Sequence, residues 1–494
     1  MANNAQDRPF PSPGLRLADR SLQNLRGYPW ALALAMAGAI SAAVFVWARW
    51  SIALAGAVMV LVLSAWESEP FLLAIIFLIP FGWSMGSRES QHDVASAIHA
   101  LVVAGFFLGR FWSGRVEVQR LLRSSPARAS LILLGAILVS ILFGRSGWTQ
   151  YSAHSLYAMV TYVGFFFLVL AWANSPERLR KILRVLLYST IMTAVFAVFQ
   201  EIVGGYTSFW LYLNPQEENP SGWGGRATSF LNYSNSLAGY LNLILPFALA
   251  CYVLGLGNWK KLGKWTLGLG SLALLSTQSV GALVAFVAIL VLAIFYFARN
   301  RMKSLVLLVS ICAFVGLFYL LKQYLNPTHT AENIGPDTVI RMLLWGTAWG
   351  YFVHSPITGV GWGNFVGLYG SDLSSFSSII PSGVFEVHNI YLQLLAETGL
   401  VGFVAFFYLV VKCWQQAWNQ MRSSPDFLSS ALAFGVLGAL VSVMVHGFVD
   451  FLFQVSPQFG TLFWVLLGLL AASGRLRRNS LAEQSHSGHV GRLP

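Results

Sequence analysis

Apolar runs of roughly 15–22 residues follow one another along almost the whole chain, broken by short polar turns. About fourteen such runs lie near residues 30–47, 51–66, 71–83, 94–109, 129–143, 153–173, 184–203, 235–255, 265–276, 280–297, 304–321, 390–411, 429–445 and 459–474. A helix rises 1.5 Å per residue, so about twenty apolar residues cross the hydrocarbon of a bilayer. The pattern predicts an all-α polytopic membrane protein, a bundle of about 12–14 transmembrane helices, with 265–276 and 280–297 also readable as one broken hairpin. Two polar interruptions stand out, about 204–234 and 322–389. A loop as long as the second is generally functional. Inside it, Thr338–His354 carries Ile340, Leu343, Leu344, Ala348 and Phe352 at helical spacing, which predicts an amphipathic helix near the membrane surface. Pro356 and the run Gly359-Val360-Gly361-Trp362-Gly363 end it.

Composition agrees with the pattern. Of 494 residues, 56% are hydrophobic and only 10% charged, too few for the surface of a soluble fold of this size. Cys251, Cys312 and Cys413 are distant from one another and have no metal-ligand spacing, so they read as small apolar packing residues.

The net charge of +12 changes the picture through its placement. Arg16, Arg20 and Arg26 precede the first run, and Arg110, Arg115, Arg120, Arg123 and Arg128 fill one loop. Arg178, Arg180 and Lys181, then Lys260, Lys261 and Lys264, then Arg299, Arg301 and Lys303, and finally Arg475, Arg477 and Arg478 follow later runs. With fourteen spans all these clusters fall on one side, which the positive-inside rule makes cytoplasmic. The charge is topological, and no nucleic-acid partner is expected. Residues 1–29 then form a cytoplasmic tail without a cleavable signal, 30–474 the membrane domain, and 475–494 a polar, disordered cytoplasmic tail. The two long loops face the outside.

The polar chemistry concentrates in those loops. Arg226 and Arg341 oppose the positive-inside trend. They read either as interfacial side chains paired with Glu218 or Asp337, or as an anion clamp, since a guanidinium binds phosphate oxygens in a bidentate fork. The glycine-rich run is a weak phosphate nest, lacking a Walker lysine and a strand–helix setting, and a better tight turn. His388 sits at the mouth of a span, where an imidazole exchanges protons near neutral pH. His446 and Asp450, four residues apart, are expected on one helical face as a structural pair or a support. Trp210, Trp223 and Trp362 fit an interfacial belt. No metal site and no cofactor is expected.

Three segments carry a resemblance. Val387-His388-Asn389 with Glu397-Thr398-Gly399-Leu400-Val401-Gly402 resembles the hallmark of the O-antigen ligase and polymerase superfamily. Arg341-Met342-Leu343-Leu344-Trp345 through Ser355-Pro356-Ile357-Thr358-Gly359-Val360-Gly361 is similar to its "Arg…Trp…Ser-Pro…Gly-x-Gly" loop. Gly225-Arg226 followed by Phe230-Leu231-Asn232-Tyr233-Ser234 and Leu237-Ala238-Gly239-Tyr240 is similar to an earlier family segment. The matched region runs from about 224 to 472. One departure is plain: many members have a Thr-x-Ser-Arg-Gly turn, and here Thr277-Gln278-Ser279-Val280-Gly281 puts Val280 in the arginine's place.

The resemblance implies a glycosyltransferase in the bacterial inner membrane with its active site facing the periplasm. Its donor would be an undecaprenyl-diphosphate-linked glycan. The leading expectation is an O-antigen ligase that transfers O-polysaccharide to a lipid A-core sugar hydroxyl, by metal-independent inverting attack. His388 is then the expected base. Arg341 and Arg226 are expected on the diphosphate, with Asn389, Tyr233, His446 and Asp450 in support. The alternatives are a polymerase, whose acceptor is another lipid-linked repeat, and a protein O-oligosaccharyltransferase. A transporter fits less well, because ionisable groups within the spans are sparse.

Overall fold

The computed structural model describes residues 50–81, 88–114, 118–203, 226–231, 233–298, 300–306, 308–310, 312–313, 316, 334–372, 386–423 and 426–490. Every regular element among them is a helix: α1 (Trp50–Ala65), α2 (Glu69–Leu78), α3 (Arg88–Trp112), α4 (Ser125–Phe143), α5 (Gln150–Trp172), α6 (Pro176–Val203), α7 (Ser234–Leu254), α8 (Asn258–Ser276), α9 (Val280–Phe297), α10 (Ile334–His354), α11 (Phe365–Asp372), α12 (Ile390–Ser423), α13 (Phe427–His446) and α14 (Pro457–Val490). Single turns at Val118–Leu121 and Leu452–Val455 complete the set of described helical elements named here.

The chain divides into two compact units. The first contains residues up to Leu72 together with Ile98–Val116. Within it, the glycines of α3 let that helix lie directly on α1: a Cβ at Gly105 would come 2.5 Å from the Leu61 carbonyl oxygen. Arg110 donates to both Glu67 oxygens, at 2.9 and 3.0 Å. The second unit, Leu73–Ala97 and Glu117–Pro494, contains every candidate functional residue.

Among the described residues eight helices are long and apolar enough to cross a membrane: α4, α5, α6, α7, α9, α12, α13 and α14. The bent pair α1–α2 raises this to nine if it counts as one span. The polytopic all-α architecture is therefore the one expected. The predicted run 30–47 lies outside the described residues, and 304–321 largely does. The run 265–276 is part of the longer α8, which begins with Asn258-Trp259-Lys260-Lys261 and is too polar at that end to qualify. α8 and α9 are separate helices, joined by a turn at Thr277–Ser279 rather than continuous.

Helix α7 is the axis of the second unit, buried from Ser234 to Cys251 with few gaps. Gly435 and Gly438 on α13 leave room for its Phe247 and Pro246, where a Cβ would approach to 2.2 and 2.4 Å. Close backbone approach through small residues is how helices associate when lipid removes the usual hydrophobic drive. α9 shows the opposite character, all apolar with only Ala282, Ala285, Ile289 and Ala293 buried, as suits a lipid-facing helix.

Three predicted boundaries move. α12 continues to Ser423 but breaks at Gly399, whose φ of 59° and ψ of −161° lie outside the helix region. The break places Gly399 against the 355–361 turn, where a Cβ would stand 2.3 Å from the Ile357 carbonyl oxygen. Leu400 and Val401 donate to the Pro356 and Ile357 carbonyls, and Val360 and Gly361 donate back to Ala396 and Glu397. α14 does not stop at 474: helical backbone runs to Val490, so the tail expected to be disordered begins as helix. α13 ends at His446, so Asp450 lies in the following turn, not on the same helical face.

Candidate functional site

The junction of α12 with the turn after α13 builds the centre of the site. Asn389 is the N-cap of α12, its Oδ1 accepting from the Tyr391 and Leu392 amides at 2.9 and 3.0 Å. Its Nδ2 donates to the Phe448 carbonyl, and the Ile390 amide donates to Gly447. Cap and tether together dock the start of α12 on the end of α13. One residue earlier, His388 has φ +51°, a left-handed conformation that costs a non-glycine residue about 1 kcal/mol. Its neighbours hold it there. The Val387 amide donates to Gln393 Oε1 at 2.9 Å, and the Val387 carbonyl accepts from Trp345 Nε1 at 3.0 Å.

That conformation aims the imidazole at Asp450, with Nδ1 and Oδ1 3.2 Å apart. His388 is 29% exposed and Asp450 4%, so one edge of the ring is open and the other rests on a buried carboxylate. Burial opposes ionisation of Asp450. The His388 hydrogen bond, the His446 and His388 charges and the Phe451 amide outweigh it and hold the carboxyl below its ordinary value. An ionised Asp450 accepts only, so Nδ1 of a neutral His388 carries the proton and Nε2 keeps its lone pair.

His446 is buried, and its Nδ1 has no hydrogen-bond partner among the described residues. It lines a small cleft with Ser442, Asp450, Leu452, Phe453 and Phe459. Its electrostatic neighbours are Asp450, Arg226 and Arg341. The structure thus gathers His388, Asp450, His446 and both predicted cations into one neighbourhood.

Each cation comes from a different element. Arg226 donates from Nε to the Thr277 carbonyl at 2.9 Å and from Nη2 to Asn235 Oδ1 at 2.5 Å. The alternative pairing with Glu218 falls outside the described residues. Thr277 opens the α8–α9 turn in which Val280 replaces the expected arginine, so Arg226 is docked on that turn. Val280 itself is 74% exposed, and Gly281 lies against the His446 ring. Arg341 is half-buried on α10, one turn before the Trp345 that pins Val387. Its alternative partner Asp337 has a side chain outside the described set. Tyr233 stands at the N-cap of α7, beside the Asn235 anchor of Arg226 and not in the His388–Asp450 pair.

Two readings are decided here. The glycine-rich run is a turn whose amides are already used: Gly359, Val360, Gly361 and Asn364 donate to backbone carbonyls, Trp362 to Ser140 Oγ and Phe365 to Glu397 Oε1. Phosphate has no donors left there. Trp362 is 3% exposed and packs edge-on to Phe451, so it offers no face to a sugar. Trp210 and Trp223 lie outside the described residues.

Sequence reasoning also missed residues. Glu386, two positions before His388, has a buried Oε2 without a hydrogen-bond partner among the described residues. Burial, then the charges of Glu397 and Asp450, push its carboxyl well above the ordinary range. An acid beside the histidine was a visible signal; its enclosure was not. Among the described residues no group of three or more His, Cys, Asp or Glu is arranged to hold a metal ion.

Comparison with known proteins bears on this geometry. Residues 265–407 match the model of a family described as O-antigen ligase. Over these residues the chain is similar to the O-antigen ligase superfamily that its motifs resemble. The O-antigen ligase match includes Arg341, His388 and Glu397, while Arg226, His446 and Asp450 fall outside it and meet it only in three dimensions. The chain is also similar to the teichuronic acid biosynthesis protein TuaE of Bacillus subtilis, 24% identical over 361 residues, covering 69% of this chain and 70% of that protein. The eight long apolar helices make this a multi-pass membrane protein, and the family matched suggests a glycosyltransferase-like enzyme acting on lipid-linked glycans.

Proposed function

We propose that the protein is an O-antigen ligase, transferring undecaprenyl-diphosphate-linked O-polysaccharide to a lipid A-core sugar hydroxyl. The observation that carries the reading is the His388 Nδ1–Asp450 Oδ1 contact in a partly exposed imidazole, which engages one ring nitrogen and leaves Nε2 for the acceptor. In the proposed step the acceptor hydroxyl approaches the anomeric carbon of the donor. Nε2 takes its proton as the new C–O bond forms. The bond from that carbon to the diphosphate oxygen breaks, and undecaprenyl diphosphate leaves with the electron pair. Attack from the face opposite the leaving group inverts the anomeric configuration. Asp450 stabilises the imidazolium that forms, as a buried carboxylate does in other base–orienter pairs. Arg226 and Arg341 meet the growing charge on the diphosphate without needing a metal.

The enzyme is proposed to sit in the bacterial inner membrane with both termini in the cytoplasm and this site in the periplasm. The one-sided placement of the basic clusters supports that orientation. The similarity to a teichuronic acid biosynthesis protein favours a second reading, because that name refers to no lipid A acceptor. In it the acceptor is another lipid-linked repeat and the enzyme is a polymerase. A knockout separates the two. Loss of a ligase leaves long polymer on the lipid carrier and bare lipid A-core, whereas loss of a polymerase leaves single repeats. A knockout with normal lipid A-linked polymer would eliminate both.

A further inference from the structure

Glu397 belongs to the hallmark segment, yet the proposed step gives it no task. It is completely buried, at the end of a chain of side chains that begins beside His388. The Val387 amide donates to Gln393 Oε1 (2.9 Å), Gln393 Nε2 to Gln454 Oε1 (3.4 Å), and Gln454 Nε2 to Glu397 Oε2 (2.9 Å). The other carboxylate oxygen accepts from the Phe365 amide at 3.1 Å. The two ends fix the direction of this chain. A backbone N–H only donates, so Gln393 turns its oxygen to Val387 and its NH₂ to Gln454, and Gln454 turns its own NH₂ to Glu397.

We infer that Glu397 is a positioning residue for His388, setting the polarity of a buried relay of hydrogen bonds that clamps the Val387 amide. The inference rests on the reading of His388 as the base. Its physical content is the left-handed backbone of His388, which lasts only while its surroundings over-determine it. Trp345 holds the Val387 carbonyl, Asn389 is tethered to Phe448, and the Gln393 clamp is the third constraint. Glu397 reaches it through Gln393, both directly and by way of Gln454.

An amide in place of Glu397 reverses the chain. The Phe365 amide keeps the new carbonyl oxygen, so the new NH₂ faces Gln454. Gln454 must flip to accept, its own NH₂ then faces Gln393, and Gln393 must flip in turn. Its NH₂ would then meet the Val387 N–H, donor against donor. A carboxylate at position 393 cures this, because it accepts from Val387 and from the flipped Gln454 alike. The geometry therefore predicts rescue of one substitution by its mirror image.

The test uses the full-length protein in detergent, with undecaprenyl-diphosphate-linked O-polysaccharide as donor and lipid A-core as acceptor. Kcat, donor KM and melting temperature are measured for Glu397→Gln, Gln393→Glu and the double variant. Each single variant should lose roughly 10–100-fold in kcat with donor KM little changed, the scale of a lost outer-shell contact. The double variant should recover to within a few-fold of wild type. Wild-type kcat in Glu397→Gln, or a folded double variant no better than the singles, overturns the inference. Should Glu397→Gln not fold, Gln393→Met frees the Val387 amide alone and must show the same kcat loss; unchanged kcat there overturns it equally. His388→Ala runs alongside. If that variant turns over normally, it is the proposed function that fails, not this relay alone.

Discussion

At the scale of single residues, the site depends on a histidine held in a conformation it does not prefer. His388 combines φ +51° with a half-open ring whose Nδ1 rests on a buried carboxylate. Asp450→Asn should keep the shape and lose the charge that fixes the tautomer, lowering kcat by about two orders of magnitude. Steady-state transfer at one pH decides this, and a loss under about threefold would remove Asp450 from the mechanism. Glu386 gives a pH signature. Its carboxyl is raised in the folded protein, so the folded state binds that proton more tightly than the unfolded chain does. Its contribution to stability is complete below the ordinary carboxylate range and is lost as pH rises toward the raised value. Glu386→Gln should therefore gain melting temperature on wild type between about pH 5 and about pH 8. Parallel curves would show that Glu386 is not enclosed as described. His388 was legible in the sequence because a polar motif at a span's mouth is conspicuous. Asp450 was legible as a support, but on a helical face shared with His446. A four-residue spacing suggests one helical face, but α13 stops at His446 and the turn swings the carboxylate across to a residue 62 positions away.

At the scale of elements, the break in α12 connects the glycine-rich turn to the site. Gly399 adopts a backbone that alanine resists, and its hydrogens face the Ile357 carbonyl. Gly399→Ala should cost at least about 2 kcal/mol and lower the melting temperature in detergent. An unchanged melting temperature would mean that α12 straightens without penalty. The clamp belongs to this scale too, since Arg226 is fixed by the α8–α9 turn and Arg341 by α10. Lysine at either position supplies charge without the planar fork, so donor KM should rise about tenfold; full donor affinity in both variants removes the clamp. The sequence showed the helices well, because apolar length is a strong signal. It showed the junctions poorly: the turn at 359–363 was readable as a turn, but its attachment to Ala396 and Glu397 depends on backbone bonds with no residue signature.

At the scale of the whole molecule, orientation is the claim most exposed to test. His354 and Lys261 are both exposed positions in the second unit. A cysteine at 354 should react with a membrane-impermeant maleimide added from the periplasmic side, and one at 261 only after the inner membrane is opened. The reverse pattern would invert the topology and place the site in the cytoplasm. A side assignment could be proposed from the sequence because lysine and arginine fall in clusters between spans, and this labelling tests it; ligase or polymerase could not be decided, because the acceptor leaves no mark on the motifs. The central claim is that His388 removes the acceptor proton. Its most direct measurement is single-turnover glycan transfer by purified His388→Ala, compared with wild type at matched melting temperature and saturating donor. The account predicts a rate lower by about three orders of magnitude with the donor still bound; transfer within a few-fold of wild type would contradict it.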